Sequence, residues 1–186
     1  MADHAHAAMN VPDELTHAVA LIHAAPPRLV YAFAGAGSLA LYWLHAVPGS
    51  SRTVLEGRDC YAPSALAELV AGAAAQAVSA ATAQALAAWA AARATALGGG
   101  AWPCVGVACT AAIATDRTRR GADHAYVAVA GAVAPYTYRL TLAKGARDRL
   151  AQEDLVSRLV IVAIARACGV AGPTLALGAG DALDGA

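Results

Sequence analysis

Lysine is almost missing from this 186-residue chain: Lys144 is the only one, so chemistry that needs a side-chain amine has a single candidate. Net charge is missing too, with 13 basic against 13 acidic residues. Without a basic excess the chain lacks the electrostatic footprint of a general nucleic-acid binder. Long apolar runs are also absent. Residues 29–51 and 69–92 carry no Asp, Glu, Lys or Arg. The first stretch is broken by Gly35, Gly37 and Pro48-Gly49, and the second is mostly Ala, Gln, Ser and Thr, too weakly hydrophobic to cross a bilayer. No membrane span is expected. Residues 1–25 contain Asp3, Asp13 and Glu14 but no Arg or Lys, the reverse of a transit peptide or a basic signal start; a cytoplasmic location is expected. Cys60, Cys104, Cys109 and Cys168 are irregularly spaced in a chain long enough to fold without staples, which points to reduced thiols.

What the chain has in excess is alanine, 54 residues of 186, so the 59% apolar fraction overstates its hydrophobicity. The length favours one domain. Pro12 in a first turn, then Leu15, Val19 and Ile22 at helical spacing, predicts a helix closed by Pro26-Pro27. Residues 28–33 read as a buried strand. The chain turns at Gly35-Ala36-Gly37, and Ser38 is placed to cap a helix through Leu41, Trp43 and Leu44 that ends at Pro48. Residues 52–57 read as a second strand, and Pro63 starts a short helix carrying Leu66, Leu69 and Val70. Ser79 can cap a long alanine-rich helix whose Leu86, Trp89 and Leu97 share one face, ending at Gly98-Gly99-Gly100. That smooth, weakly charged face suits a subunit contact, and equally suits packing on the chain's own sheet.

A buried strand over 104–109 leads into a polar loop over 115–123. Strands over 124–130 and 136–143 read as a hairpin. Asp148 opens a last helix whose Leu155, Val156, Leu159, Val160, Ala163 and Ile164 form an apolar stripe, closed by Gly169. Interleaved strands and helices with one hairpin give the fold class α/β, a mixed sheet with helices on both faces. The expected organisation is an N-terminal tail and helix over 1–27, a domain over 28–169, and a flexible Gly- and Ala-rich tail over 170–186.

Two features could hold a ligand. Gly35-Ala36-Gly37-Ser38 between strand and helix lets backbone amides approach an anion at a helix start; it also serves as a plain small-residue turn, and it lacks the full dinucleotide fingerprint. Thr115 to Gly121 gathers Arg117, Arg119 and Arg120, a clamp for phosphate or carboxylate or else a solvated loop. If ligand-bearing, the two should share one edge of the sheet, because ligands of open α/β sheets bind beyond strand carboxyl ends. Cys104 and Cys109, five apart in one strand, point to opposite faces and cannot share a metal. His45 and His124 have no sequence-adjacent partner, and His4, third after Met removal, could chelate copper or nickel with the free amine; no metal site and no cofactor are expected.

Gly35-Ala36-Gly37-Ser38, Val47-Pro48-Gly49-Ser50-Ser51, Tyr61, Ala77-Val78-Ser79, the strand Val105-Gly106-Val107-Ala108 and Gly145-Ala146-Arg147 together resemble the C-terminal domain of competence/damage-inducible protein A (CinA). The likeness covers roughly residues 28–169 on the spacing read above. It implies a three-layer α/β/α sandwich and nicotinamide-nucleotide amidase activity, which releases ammonia from nicotinamide mononucleotide. Val47 to Glu56 with Ala114-Thr115-Asp116-Arg117 looks like the eukaryotic, plant and algal branch. Bacterial members carry a serine and a lysine, after the first and second strands, as nucleophile and base. Aligned on Pro48-Gly49-Ser50-Ser51 and Tyr61, those positions fall on Ala34 and Leu66, and neither side chain can attack or deprotonate.

The resemblance therefore implies a catalytically silent, amidase-like domain. It would act by binding a nicotinamide-type nucleotide, through Gly35, Gly37, Ser38, Tyr61, Arg117, Arg119, Arg120 and Arg147, or by binding protein, as a homo-oligomer or a subunit of a larger assembly. The alternative is an active amidohydrolase with relocated groups, Ser38 or Thr110 as nucleophile and Lys144 or His124 as base.

Overall fold

The structure is a computed structural model that describes residues 11–70, 76–98, 100–116 and 120–185. Helix α1 (Asp13–Ala24) is followed by β1 (Arg28–Ala34), α2 (Ser38–Ala46), β2 (Val54–Asp59), α3 (Pro63–Val70), α4 (Ala80–Gly98), β3 (Cys104–Ala112), β4 (Asp123–Gly131), β5 (Tyr136–Leu142), α5 (Arg149–Ala167) and β6 (Ala182–Asp184). The strands form one mixed sheet in the order β2-β1-β3-β4-β5-β6. β1 is parallel to both neighbours, whereas β3 to β6 pair antiparallel. Alternation along the strands sends Tyr31, Phe33, Val107, Cys109, Val127 and Leu140 to one face, under α1, α2 and α5, and Ala32, Ala34, Ala108 and Ala128 to the other, under α3 and α4. This is an α/β/α sandwich with a mixed sheet. Cys104 and Cys109 lie in cores on opposite faces, as strand alternation requires.

The register decides where the loops gather. Phe33 pairs with Asp59, Ala34 with Thr110, Ala112 with His124, and Asp123 with Leu142. The turn at 35–38, the chain after β2, the loop after β3 and the approach to α5 therefore share one edge.

Four readings of the sequence are corrected. Residues 50–52 form a single 3-10 turn, so β2 starts two residues later than the Arg52 expected. The alanine face of α4, offered as a subunit contact, packs inward: Ala83, Leu86, Ala87, Ala90 and Ala94 are buried, and a Cβ at Gly106 of β3 would strike the α4 backbone at Ala87 and Ala91. Small side chains here permit close helix-to-sheet packing, while Leu97 in the last turn is exposed. α1, read as preceding the domain, contributes Leu15, Val19 and Ile22 to the same core as α5. The tail, read as flexible, ends in β6, whose Leu183 pairs with Leu140. Asp181 anchors it by accepting from the Ala143 and Gly178 amides and from Arg147.

Candidate functional site

The candidate cleft lies at the loop-bearing edge and is lined by Phe33, Gly35, Ala36, Ser38, Asp59, Tyr61, Arg149 and Glu153, enclosing about 120 Å³. Gly35 (φ +89°) presses the turn against β3, where a Cβ would run into the Ala111 carbonyl. Gly37 (φ +108°) is the N-cap of α2, and a Cβ there would meet the Tyr31 hydroxyl, which instead donates to the Gly37 carbonyl at 2.9 Å. Burial pushes that Tyr31 hydroxyl well above the usual tyrosine range, so it stays protonated as the donor.

Ser38 was expected to cap α2, but it is the helix's first residue and makes no cap bond. The cap comes from far along the chain. One oxygen of Glu153, on α5, accepts from the Gly37 amide (2.9 Å), the Leu39 amide (3.2 Å), the Ser38 hydroxyl (3.0 Å) and the Ser157 hydroxyl (3.2 Å). An anion does sit on the helix start, as amides and dipole favour, and it belongs to the chain itself. Arg149 completes the closure, donating to the Ala114 carbonyl at 2.9 Å and the Gly35 carbonyl at 3.4 Å.

Other sequence candidates are distributed around this centre. Ala34 ends β1 and Leu66 lies on the buried side of α3; both are core residues. Tyr61 stands at the cleft mouth, 71% exposed. The arginine loop joins the end of β3 to the start of β4, on the edge that carries Gly35; Arg120 is exposed there, while Arg117 and Arg119 lie outside the described residues, as does His4. Among the described residues, the arginine that meets the glycine turn is Arg149. Arg147 is not brought to the cleft: it pairs with Asp181 at 2.7 Å and lines a separate groove along α5. Lys144 donates to the Gly121 carbonyl at 3.0 Å, His124 bonds the Ala122 carbonyl and His45 the Ser50 hydroxyl. Thr110 is fully buried with an unpartnered hydroxyl, pairing along the sheet with Ala34. Among the described residues no three His, Cys, Asp or Glu side chains cluster as metal ligands, and no helix is long and apolar enough to cross a membrane.

Sequence reasoning missed Glu153, Arg149 and Asp59. The sequence carries no signal for Glu153: the burial of its α5 neighbours Gln152 and Ser157 is visible only once the fold is known.

No protein-family model matches this sequence, and no curated protein matches it. Solved structures do match by fold. A competence/damage-inducible protein from Agrobacterium tumefaciens superposes with TM-score 0.66 at 18% identity, covering 87% of this chain and 98% of the other. CinA-superfamily proteins from Klebsiella pneumoniae (TM-score 0.59, 20% identity, 84% and 96% covered) and Escherichia coli (TM-score 0.59, 21% identity, 85% and 92% covered) are similar. The class this architecture defines is thus an α/β/α sandwich with a mixed sheet. Within that class, the fold is the one seen in CinA-superfamily structures.

Proposed function

We propose that the chain is a catalytically silent, nicotinamide-nucleotide amidase-like domain that acts by binding other protein chains, as a homo-oligomer or as a subunit of a larger assembly. The observation that carries this reading is the Glu153 carboxylate seated on the Gly37 and Leu39 amides. A substrate oxyanion or phosphate directed to the start of α2 would have to displace it. The 120 Å³ cleft is also well below the roughly 300–1,000 Å³ of small-molecule pockets. Ala34 and Leu66, at the positions of the resembled family's nucleophile and base, offer neither group. Ser38 donates its hydroxyl to a Glu153 oxygen that also accepts from the Gly37 and Leu39 amides and the Ser157 hydroxyl, which makes this carboxylate part of the helix cap. Protein binding is favoured by Tyr61, a large aromatic side chain left outside at the cleft mouth. A reducing compartment such as the cytoplasm suits the four free cysteines.

The test is titration with nicotinamide mononucleotide, following heat and ammonia in the same sample. The expected result is no ammonia above a heat-killed control. Turnover near ~1 s⁻¹, ordinary for an enzyme, overturns the reading. Light scattering on a dilution series, with mass spectrometry of co-purifying chains, tests the binding role; a monomer at every concentration with no partner contradicts it.

A further inference from the structure

The opposite end of β1 carries two cations that have no counter-ion among the described residues. Arg28 opens the strand, its amide bonded to the Pro103 carbonyl at 2.9 Å. Its guanidinium carbon lies 4.2 Å from the centre of the Trp102 ring, and its Nε–H is buried with no hydrogen-bond partner. A buried donor left without an acceptor is unusual in a folded chain. Arg52 ends the 3-10 turn before β2 and is held by its Nε, which donates to the His23 carbonyl at 3.2 Å. The two arginines line one cavity of about 330 Å³ with His23, Ala24, Ala25, Pro26 and Trp102.

No carboxylate lines this cavity, and neither arginine forms an ion pair among the described residues. His23 adds no charge of its own: its Nδ1 meets the Thr53 hydroxyl and its Nε2 the Leu44 carbonyl, both at 2.9 Å. Burial first, and then the positive charge of Arg52, lower its pKa. The cavity is therefore cationic by two guanidinium groups. Trp102, 47% exposed, stacks on Arg28 and holds it.

We propose that Arg28, Arg52 and Trp102 form a binding site for a phosphomonoester or free phosphate at the sheet edge opposite the candidate cleft. A phosphomonoester carries about −1.5 to −2 charge at pH 7, matching two arginines, and guanidinium groups grip phosphate oxygens through paired N–H donors. The cavity admits a phosphate on a small organic group and sits at the small end of ligand pockets. β1 separates this site from the cleft by about 20 Å at ~3.3 Å per residue, so it stands independently of catalytic silence.

The experiment follows the Trp102 indole N–H resonance, assigned with Trp102→Phe, during titration of the full chain with inorganic phosphate. Parallel titrations use ribose 5-phosphate, acetate and chloride at matched ionic strength. The expected result is a saturable shift with the phosphate-bearing probes, tighter for the sugar phosphate if the organic group contributes. Acetate should bind at least about tenfold more weakly, and chloride should give only a linear drift. Arg28→Lys keeps the charge but loses the planar guanidinium fork, and Arg52→Gln removes one cation; each weakens phosphate binding at least about tenfold while the melting temperature without phosphate identifies any folding defect. No saturable shift in the wild-type chain, or equal shifts with phosphate and chloride, overturns the proposal. So does undiminished affinity in both folded variants.

Discussion

Removing the Glu153 side chain should both destabilise the chain and uncap the helix it serves. In Glu153→Ala the Gly37 and Leu39 amides lose their acceptor, as do the Ser38 and Ser157 hydroxyls. Ser38 is exposed enough to turn to water, and the buried Ser157 hydroxyl can turn to the backbone carbonyl of residue 153 one helical turn back, so both of those losses are small. The two amides are half-buried at a helix start, worth about 1 kcal/mol each, and loss of a carboxylate from the positive end of the helix adds about 0.3–1 kcal/mol. The expected cost is about 2–3 kcal/mol. Glu153→Gln keeps an acceptor oxygen and loses the charge, so it should cost about 1 kcal/mol or less. Urea unfolding followed by circular dichroism reads both; with a slope of about 2 kcal/mol per molar, the alanine midpoint falls by about 1 M or slightly more. The reasoning is refuted if Glu153→Ala stays within about 0.5 kcal/mol of wild type, or if the glutamine variant is as unstable as the alanine one.

Three further outcomes follow from the same geometry. Gly35→Ala forces a Cβ into the Ala111 carbonyl at a positive φ and should cost at least about 2 kcal/mol, seen as a lower thermal midpoint. His23 is buried with its pKa below the usual 6.5, so between its two values the unfolded chain holds a proton the native chain lacks. Stability then falls as pH drops below about 6.5, and His23→Gln should flatten that part of the profile measured by urea unfolding from pH 7 to 5. Asp181 would be raised by its burial, but the Ala143 and Gly178 amides and Arg147 pull it below the ordinary carboxylate range. Its stabilisation is present above that range and is lost as pH falls through its lowered value. Asp181→Ala should cost about 2 kcal/mol at neutral pH and speed hydrogen exchange at the β5 amides facing β6.

Much of the architecture was legible because local signals agreed with tertiary demands. Pro12, Ser79 and Asp148 sit at helix starts, and β-branched and aromatic runs mark β1, β3 and the β4–β5 hairpin. Alanine defeats periodicity: it is equally at home on the inner and outer faces of α4, and only Gly106 on the facing strand records how close that helix lies. β6 is three residues long, too short for a pattern, and its anchor Asp181 is bonded to Arg147, which precedes it by more than thirty residues. In the cleft, glycine spacing located the turn. It could not reveal what fills it, because Glu153 reads as an ordinary polar residue of a helix start until the fold brings α5 beside α2.

The most direct test of a closed, silent cleft is the behaviour of the Gly37 and Leu39 amide resonances of the wild-type chain during titration with nicotinamide mononucleotide. Both amides are bonded to Glu153, so both signals should stay in place up to about 10 mM nucleotide, a range that detects even millimolar affinity. Saturable movement of both, accompanied by release of the Ser38 hydroxyl from Glu153, would contradict the account.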